Sequence, residues 1–138
     1  MAQSTSSAAT TQFTFDFGKG AVVGDFDGGD ICIDGGIVLL RELDDRRGYS
    51  RRIASCISDW RTGPVKHEVE DLVRMELFMK ACGYSGGIDA NSLRQNAMFD
   101  AAAAQPGKTL PGQSSFSRAR NNVDADSVDR MQRLLTEQ

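Results

Sequence analysis

Residues 22–47 read Val-Val-Gly-Asp-Phe-Asp-Gly-Gly-Asp-Ile-Cys-Ile-Asp-Gly-Gly-Ile-Val-Leu-Leu-Arg-Glu-Leu-Asp-Asp-Arg-Arg, and the spacing of apolar residues changes within them. Val22 to Phe26 and Ile31 to Ile33 are short apolar runs flanking Asp27-Gly28-Gly29-Asp30. Aspartate and glycine tolerate the positive φ of tight turns, so this composition predicts a hairpin. From Gly36 the period becomes helical. Ile37, Leu40 and Leu43 fall on one face, Val38 and Leu39 widen it, and Arg41, Glu42, Asp45 and Arg46 fall mainly on the other. Asp34 is the expected cap of this helix. Upstream, Phe13-Thr14-Phe15-Asp16-Phe17 alternates and meets Gly18-Lys19-Gly20, a strand ending in a turn. A sheet of two or three such strands is too small to stand alone in water and must pack on helices.

The rest of the chain reads as helix. Gly48 suits the residue closing the first helix, with Arg46 and Arg47 complementing the negative end of its dipole. Ser50 is expected to cap a second helix through Ile57 that buries Ile53, Ala54 and Ile57 and exposes Arg51 and Arg52. Asp59 to Lys66 contains Gly63-Pro64 and reads as a loop. The longest pattern begins at His67 or Glu68 and ends at Cys82 before Gly83, with Val69, Leu72, Val73, Glu76, Leu77, Met79 and Lys80 forming a wide stripe; it predicts the central helix. Asp89 or Asn91 is expected to cap a short helix, and Met98 to Ala104 is another. Val128, Met131, Leu134 and Leu135 form the apolar seam of a last one. The predicted fold class is α+β, a small N-terminal hairpin or sheet packed on a mainly α-helical bundle. Its expected divisions are a disordered tail over 1–12, a hairpin plus helical domain over 13–104, a Pro/Gly-rich linker over 105–115 with few contacts across it, and a C-terminal helical segment over 116–138.

Composition narrows the function. The chain has 138 residues with a net charge of −3, so DNA binding would have to come from a local patch and not from a global basic field. Cys32, Cys56 and Cys82 are too far apart for a CxxC knuckle or a dense disulfide framework, which favours a reducing, intracellular compartment. A single histidine, His67, makes a structural zinc site an unusual proposition. The first residues lack the basic and apolar regions of a secretory signal. No apolar run approaches the roughly 20 residues that span a bilayer.

Several constellations invite chemistry. Asp25, Asp27 and Asp30 beside glycines suggest a calcium loop, but Gly29 and Gly36 stand where an EF-hand needs ligands. Gly35-Gly36 before a helix suggests a phosphate cradle, yet neither nucleotide-binding glycine motif is present. Arg46, Arg47, Arg51 and Arg52 bracket Gly48-Tyr49 and form the densest basic cluster. Between Arg41 and Arg61, however, six arginines meet four acids, so phosphate contact and a face laced with ion pairs are equally open. Ser114 to Asn122 carries Arg118 and Arg120 among hydroxyl residues, and helix capping explains it more simply than phosphate contact. No Ser-His-Asp or Cys-His arrangement is legible.

The run Asp25-Phe26-Asp27-Gly28-Gly29, then Asp34-Gly35-Gly36 and Leu39-Leu40-Arg41-Glu42-Leu43-Asp44, resembles the opening of DDE-type insertion-sequence transposases that begin with DFDGG and SDGG…LLLRE. Ile53-Ala54-Ser55-Cys56-Ile57 with Asp59 and Arg61, then His67 with Leu72 and Arg74, then Ala81-Cys82-Gly83-Tyr84, and finally Asp89 with Leu93-Arg94 are similar to that family's following blocks, in order. Gln113, Ser117-Arg118 and Asn121 resemble its S-Q-P-T-L-S-R-L-E-N segment. Ser85-Gly86 replaces its acidic pair after the tyrosine. The resemblance implies a DNA transposition role. It also implies an RNase H-like catalytic domain whose acids hold divalent metal, Mg or Mn, beyond the S-Q-P-T-L-S-R segment. On that reading this chain is the N-terminal, truncated or fragmentary part, ending before the catalytic acids, with no activity expected by itself and no cofactor of its own. The partners implied are the transposon's terminal inverted repeats, with self-association, in a bacterial cytoplasm and nucleoid. Arg46, Arg47, Arg51, Arg52, Arg118 and Arg120 are the candidate DNA contacts. The alternative is a protein-interaction module or inactive remnant without DNA binding.

Overall fold

The structure is a computed structural model that describes residues 12–25 and 33–136. It is α+β. Strands β1 (Phe13–Asp16) and β2 (Ala21–Gly24) pair antiparallel, and seven helices follow among the described residues.

The turn between the strands comes from Phe17-Gly18-Lys19-Gly20, where Asp16 Oδ1 accepts the Gly18 N–H at 2.9 Å. Gly18 has φ +81°, and a Cβ there would lie 2.8 Å from Pro106 Cγ, so only glycine fits. In the register, Phe15 faces Val22 and Thr14 faces Val23. Val22 and Val23 therefore pair with the preceding strand, and the run expected to follow them, Ile31 to Ile33, lies outside the described residues except for Ile33. Ile33 lies in an exposed turn, and the expected Asp27–Asp30 hairpin turn lies outside the described residues. Phe17 leaves the strand pair for the core, stacked on Phe15 and lying under the Arg41 guanidinium at 5.4 Å.

Helix α1 (Ile37–Arg47) corrects the sequence reading of its inner face. Ile37, Val38, Arg41 and Asp44 are buried, while Leu39 and Leu43 are 60% and 46% exposed. Charges go inside because each has a partner there, which hydropathy spacing does not reveal. Arg41 Nη1 donates to the Ala102 carbonyl at 2.9 Å and its Nε to Asp45. Asp34 does not cap α1 with its side chain: the carboxylate accepts from Asn96 Nδ2 at 2.7 Å and from the Tyr84 hydroxyl at 3.2 Å, tying three segments together.

Gly48, at φ +66°, ends α1 and begins α2 (Tyr49–Ala54). Ser50 is not the cap of α2. Asp44 Oδ1 accepts the Ser50 N–H at 2.7 Å and takes that role from the preceding helix. Loop residues 55–68 lead to α3 (Val69–Ala81), where Asp71 Oδ2 accepts the Glu68 N–H and Gly83, at φ +88°, follows the helix end. This central helix packs on α2, α5 (Ala97–Ala103) and α6 (Gln113–Asn122). Its buried residues are Asp71, Leu72, Arg74, Met75, Phe78 and Met79, a face rotated from the expected stripe; Val69, Val73, Glu76 and Leu77 are half-buried.

Neither Asp89 nor Asn91 caps the short α4 (Asp89–Leu93). Asn91 Oδ1 instead accepts the Gln113 N–H at 3.1 Å, at the start of α6, where no serine caps the helix. Asn96 caps α5 by accepting from Met98 and Phe99. Residues 105–112 form no helix, but Leu110 and Pro111 are fully buried, and Phe116 of α6 completes the core with Phe99, Met75, Met79 and Ile37. Helix α7 (Ala125–Thr136) starts with Asp124 accepting the Ser127 N–H; Ser127 then accepts from Ser58 N. Val128 and Leu135 of its apolar seam are exposed.

Candidate nucleic-acid interface

The α1–α2 corner gathers the four arginines of the basic cluster, and ion pairs sort them. Arg46 is bound to Glu42 one turn back at 2.7 Å, and Arg51 lies 3.8 Å from Glu70 of α3. Arg47 and Arg52 are exposed and have no side-chain hydrogen bond or ion pair among the described residues. The corner itself is rigid because Asp44, which caps α2, is fixed by Arg74 of α3 at 3.1 Å. Glu70 and Asp71 also face that guanidinium.

Arg118 and Arg120 do not share one surface role. Arg120 Nη2 donates to Glu76 at 2.8 Å and borders an apolar groove of about 230 Å³ between α2, α3, α6 and α7. Arg118 instead lines a cavity of about 300 Å³ between the 60–67 loop and α6, together with Trp60, Arg61, Lys66, His67 and Ser115. The loop side of this cavity has no counterpart in the sequence reading, where 59–66 is only a Gly-Pro loop. The signal that could have found it is the density of Trp60-Arg61 and Lys66-His67 around Pro64.

Arg61 organises the loop. Its Nε and Nη2 bind Asp59 at 2.7 and 2.8 Å, its Nη1 donates to the His67 carbonyl, and it lies 5.5 Å over the Trp60 ring. Hydrogen bonds from that guanidinium hold the Asp59 carboxyl below its usual range. Burial pushes the His67 imidazole below its ordinary value; Asp71 opposes the shift, and Lys66, Lys108 and Arg94 add to it. His67 Nδ1 is buried without a hydrogen-bond partner.

A family profile described as transposase DDE domain, group 1, matches residues 15–138. The chain belongs to this transposase family. Neither a curated protein nor a solved structure matches it. Membership gives the chain a part in DNA transposition and makes DNA the molecule the protein works on. Among the described residues no group of three or more His, Cys, Asp or Glu is gathered in the way a metal ion would need. Where carboxylates do converge, Asp44, Glu70 and Asp71 surround the Arg74 guanidinium, which supplies the positive charge. No described helix is long and apolar enough to cross a membrane.

Proposed function

We propose that this chain is a non-catalytic, DNA-engaging part of a DDE transposase, which grips the transposon's terminal inverted repeats or helps to assemble the synaptic complex. The observation that carries this reading is the α1–α2 corner, where Arg47 and Arg52 stand unpaired while Glu42 and Glu70 face their neighbours. Unpaired guanidiniums on a fixed corner suit phosphates, which take charge-assisted bidentate hydrogen bonds from arginine. The metal-holding acids of the reaction belong elsewhere in the transposase.

A mobility-shift titration at low salt compares duplex carrying the element's end with random duplex. Preference for the end sequence is the expected result, and equal binding removes the end-recognition role. The Arg47→Ala/Arg52→Ala variant should weaken both duplexes alike, since phosphate contacts carry no sequence information.

One observation favours a second reading, that of a protein-interaction module. The groove lined by Ile53, Ile57, Val69, Val73 and Leu77 is open and apolar, and Val128 and Leu135 are exposed on α7 nearby in sequence to its Val123 and Met131 walls. Light scattering separates the two: a monomer at all concentrations removes self-association through this groove.

A further inference from the structure

We propose that the cavity between the 60–67 loop and α6 seats one backbone phosphate of a nucleic-acid strand, held by Lys66 and Arg118, with Ser115 and His67 completing its wall. This rests on the DNA-engaging reading above and names a second contact, separate from the α1–α2 corner.

The charge of the cavity is the first support. Its lining contains Arg61, Lys66 and Arg118 but no carboxylate, although the chain as a whole is acidic. Asp59 neutralises Arg61 from outside the lining, so two cations remain. Neither Lys66 nor Arg118 has a side-chain hydrogen bond or ion pair among the described residues. Arg46, Arg120 and Arg133, which are also exposed, each find an acid, whereas Lys66 and Arg118 share with Arg47 and Arg52 of the α1–α2 corner the lack of one. A walled site with two free cations is what a phosphate needs, because low-dielectric walls strengthen its field.

The second support is His67. The residue lines the cavity, is more than nine-tenths buried, and leaves Nδ1 without a partner. An orphaned buried polar atom is costly, and a phosphate in the cavity that His67 lines would set a negative charge beside its ring. The volume, about 300 Å³, admits a phosphate with its attached sugar carbons. Ser115 and Thr62 add hydroxyls at the rim, and the Trp60 ring forms part of the wall. The neighbouring groove beyond Trp60 has mainly aliphatic walls and no comparable charge.

An anion seated beside His67 favours the imidazolium. The other charges facing this ring are Asp71 from α3, Lys66 and Arg61 from the loop, Glu68, Lys108, Arg94 and Arg118, and a phosphate offsets the cationic excess among them. Binding therefore draws in a proton, and affinity rises as the pH falls through the range between the bound ring's value and the lower value of the free protein.

His67 is the sole histidine, so its ring nitrogen resonances are an unambiguous probe. The protein is titrated with inorganic phosphate and, separately, with a short labelled DNA duplex, while duplex affinity is followed against salt. Both ligands should move the His67 resonances and raise the pH at which the ring titrates. The Lys66→Gln/Arg118→Gln variant should abolish those shifts and lower the slope of log affinity on log salt by about one, the loss of one phosphate contact. Lys66 and Arg118 are exposed, so a melting curve like that of the native protein is the folding control. Duplex binding that leaves His67 unmoved and keeps its full slope in this variant, while Arg47→Ala/Arg52→Ala weakens it, overturns the cavity and spares the DNA-engaging reading. No duplex binding by the native protein overturns both. A response to inorganic phosphate alone overturns a nucleic-acid strand as the occupant.

Discussion

Arg74 Nε of α3 donates to Asp44 Oδ2 of α1 across 3.1 Å, with both side chains about 95% buried. The same carboxylate caps α2 through its other oxygen, so one aspartate joins three helices at the corner that presents Arg47 and Arg52. A buried pair of this kind is held by mutual need, since either partner alone would be an uncompensated charge. Arg74→Met should therefore destabilise the protein by about 3–5 kcal/mol in urea unfolding. Asp44→Asn with Arg74→Met should cost less than the two single changes together, because the Asp44 charge is no longer stranded. Additive losses would show that the pair is not coupled.

Asp34 offers a second test, because it joins Tyr84 and Asn96 where a helix cap was expected. Burial raises the Tyr84 hydroxyl above its ordinary value, and the Asp34 hydrogen bond and charge raise it further. Since the folded state holds this proton more tightly than the unfolded chain, the contribution to stability is present below about pH 10 and declines above it. Asp34→Ala should bring the Tyr84 titration down in an ultraviolet absorbance measurement, with Tyr49 as the internal reference. An unchanged Tyr84 titration would mean that Asp34 is not its partner in solution.

Some of this architecture was legible in the sequence, and the boundary has physical causes. The extent of α3 could be read because Glu68, Asp71 and Gly83 are local signals at its ends. Gly48 was legible for the same reason. The sheet was harder: Val22 has glycine-rich turns on both sides, and composition does not say which neighbouring strand it joins. The buried face of α1 was missed because charge argued for leaving Arg41 outside, although Arg41 and Asp44 stand four and seven residues after Ile37 on one helical face, and their partners, Ala102 and Arg74, are 61 and 30 residues away. The cavity of Lys66, His67 and Arg118 was invisible for a related reason. Its walls come from a loop and a helix that only the folded chain brings together.

Leu110 lies in the Pro/Gly-rich segment 105–115, yet it is 1% exposed and belongs to the core cluster. Leu110→Ala should cost about 2–5 kcal/mol, the range for truncating a buried leucine where neighbours relax only partly. The unfolding transition should shift as one step by both fluorescence and circular dichroism. A loss under about 0.5 kcal/mol, the level of an ordinary surface change, would show that this segment is a loose tether.

The acid limb of stability should belong first to His67. The folded protein holds this imidazole below its ordinary value, chiefly through burial, so the unfolded chain binds the proton more readily. The stabilising effect of keeping the ring neutral is thus complete above about pH 6.5 and is lost as the pH falls from there through the folded value. Asp59 and Asp124 follow only at lower pH, because Arg61 holds the first carboxyl below its ordinary value and the Ser127 hydrogen bonds hold the second below its own. Melting temperatures measured from neutral pH down to about pH 5, below the usual histidine range, should fall for the native protein. His67→Gln should remove most of that slope while leaving the carboxylate limb in place. Phosphate in the buffer should flatten the native limb, since an anion beside the ring stabilises its charged form in the folded state and brings the folded value toward the unfolded one. A native melting temperature constant across this window, with and without phosphate, would show that the ring is not held neutral by the fold.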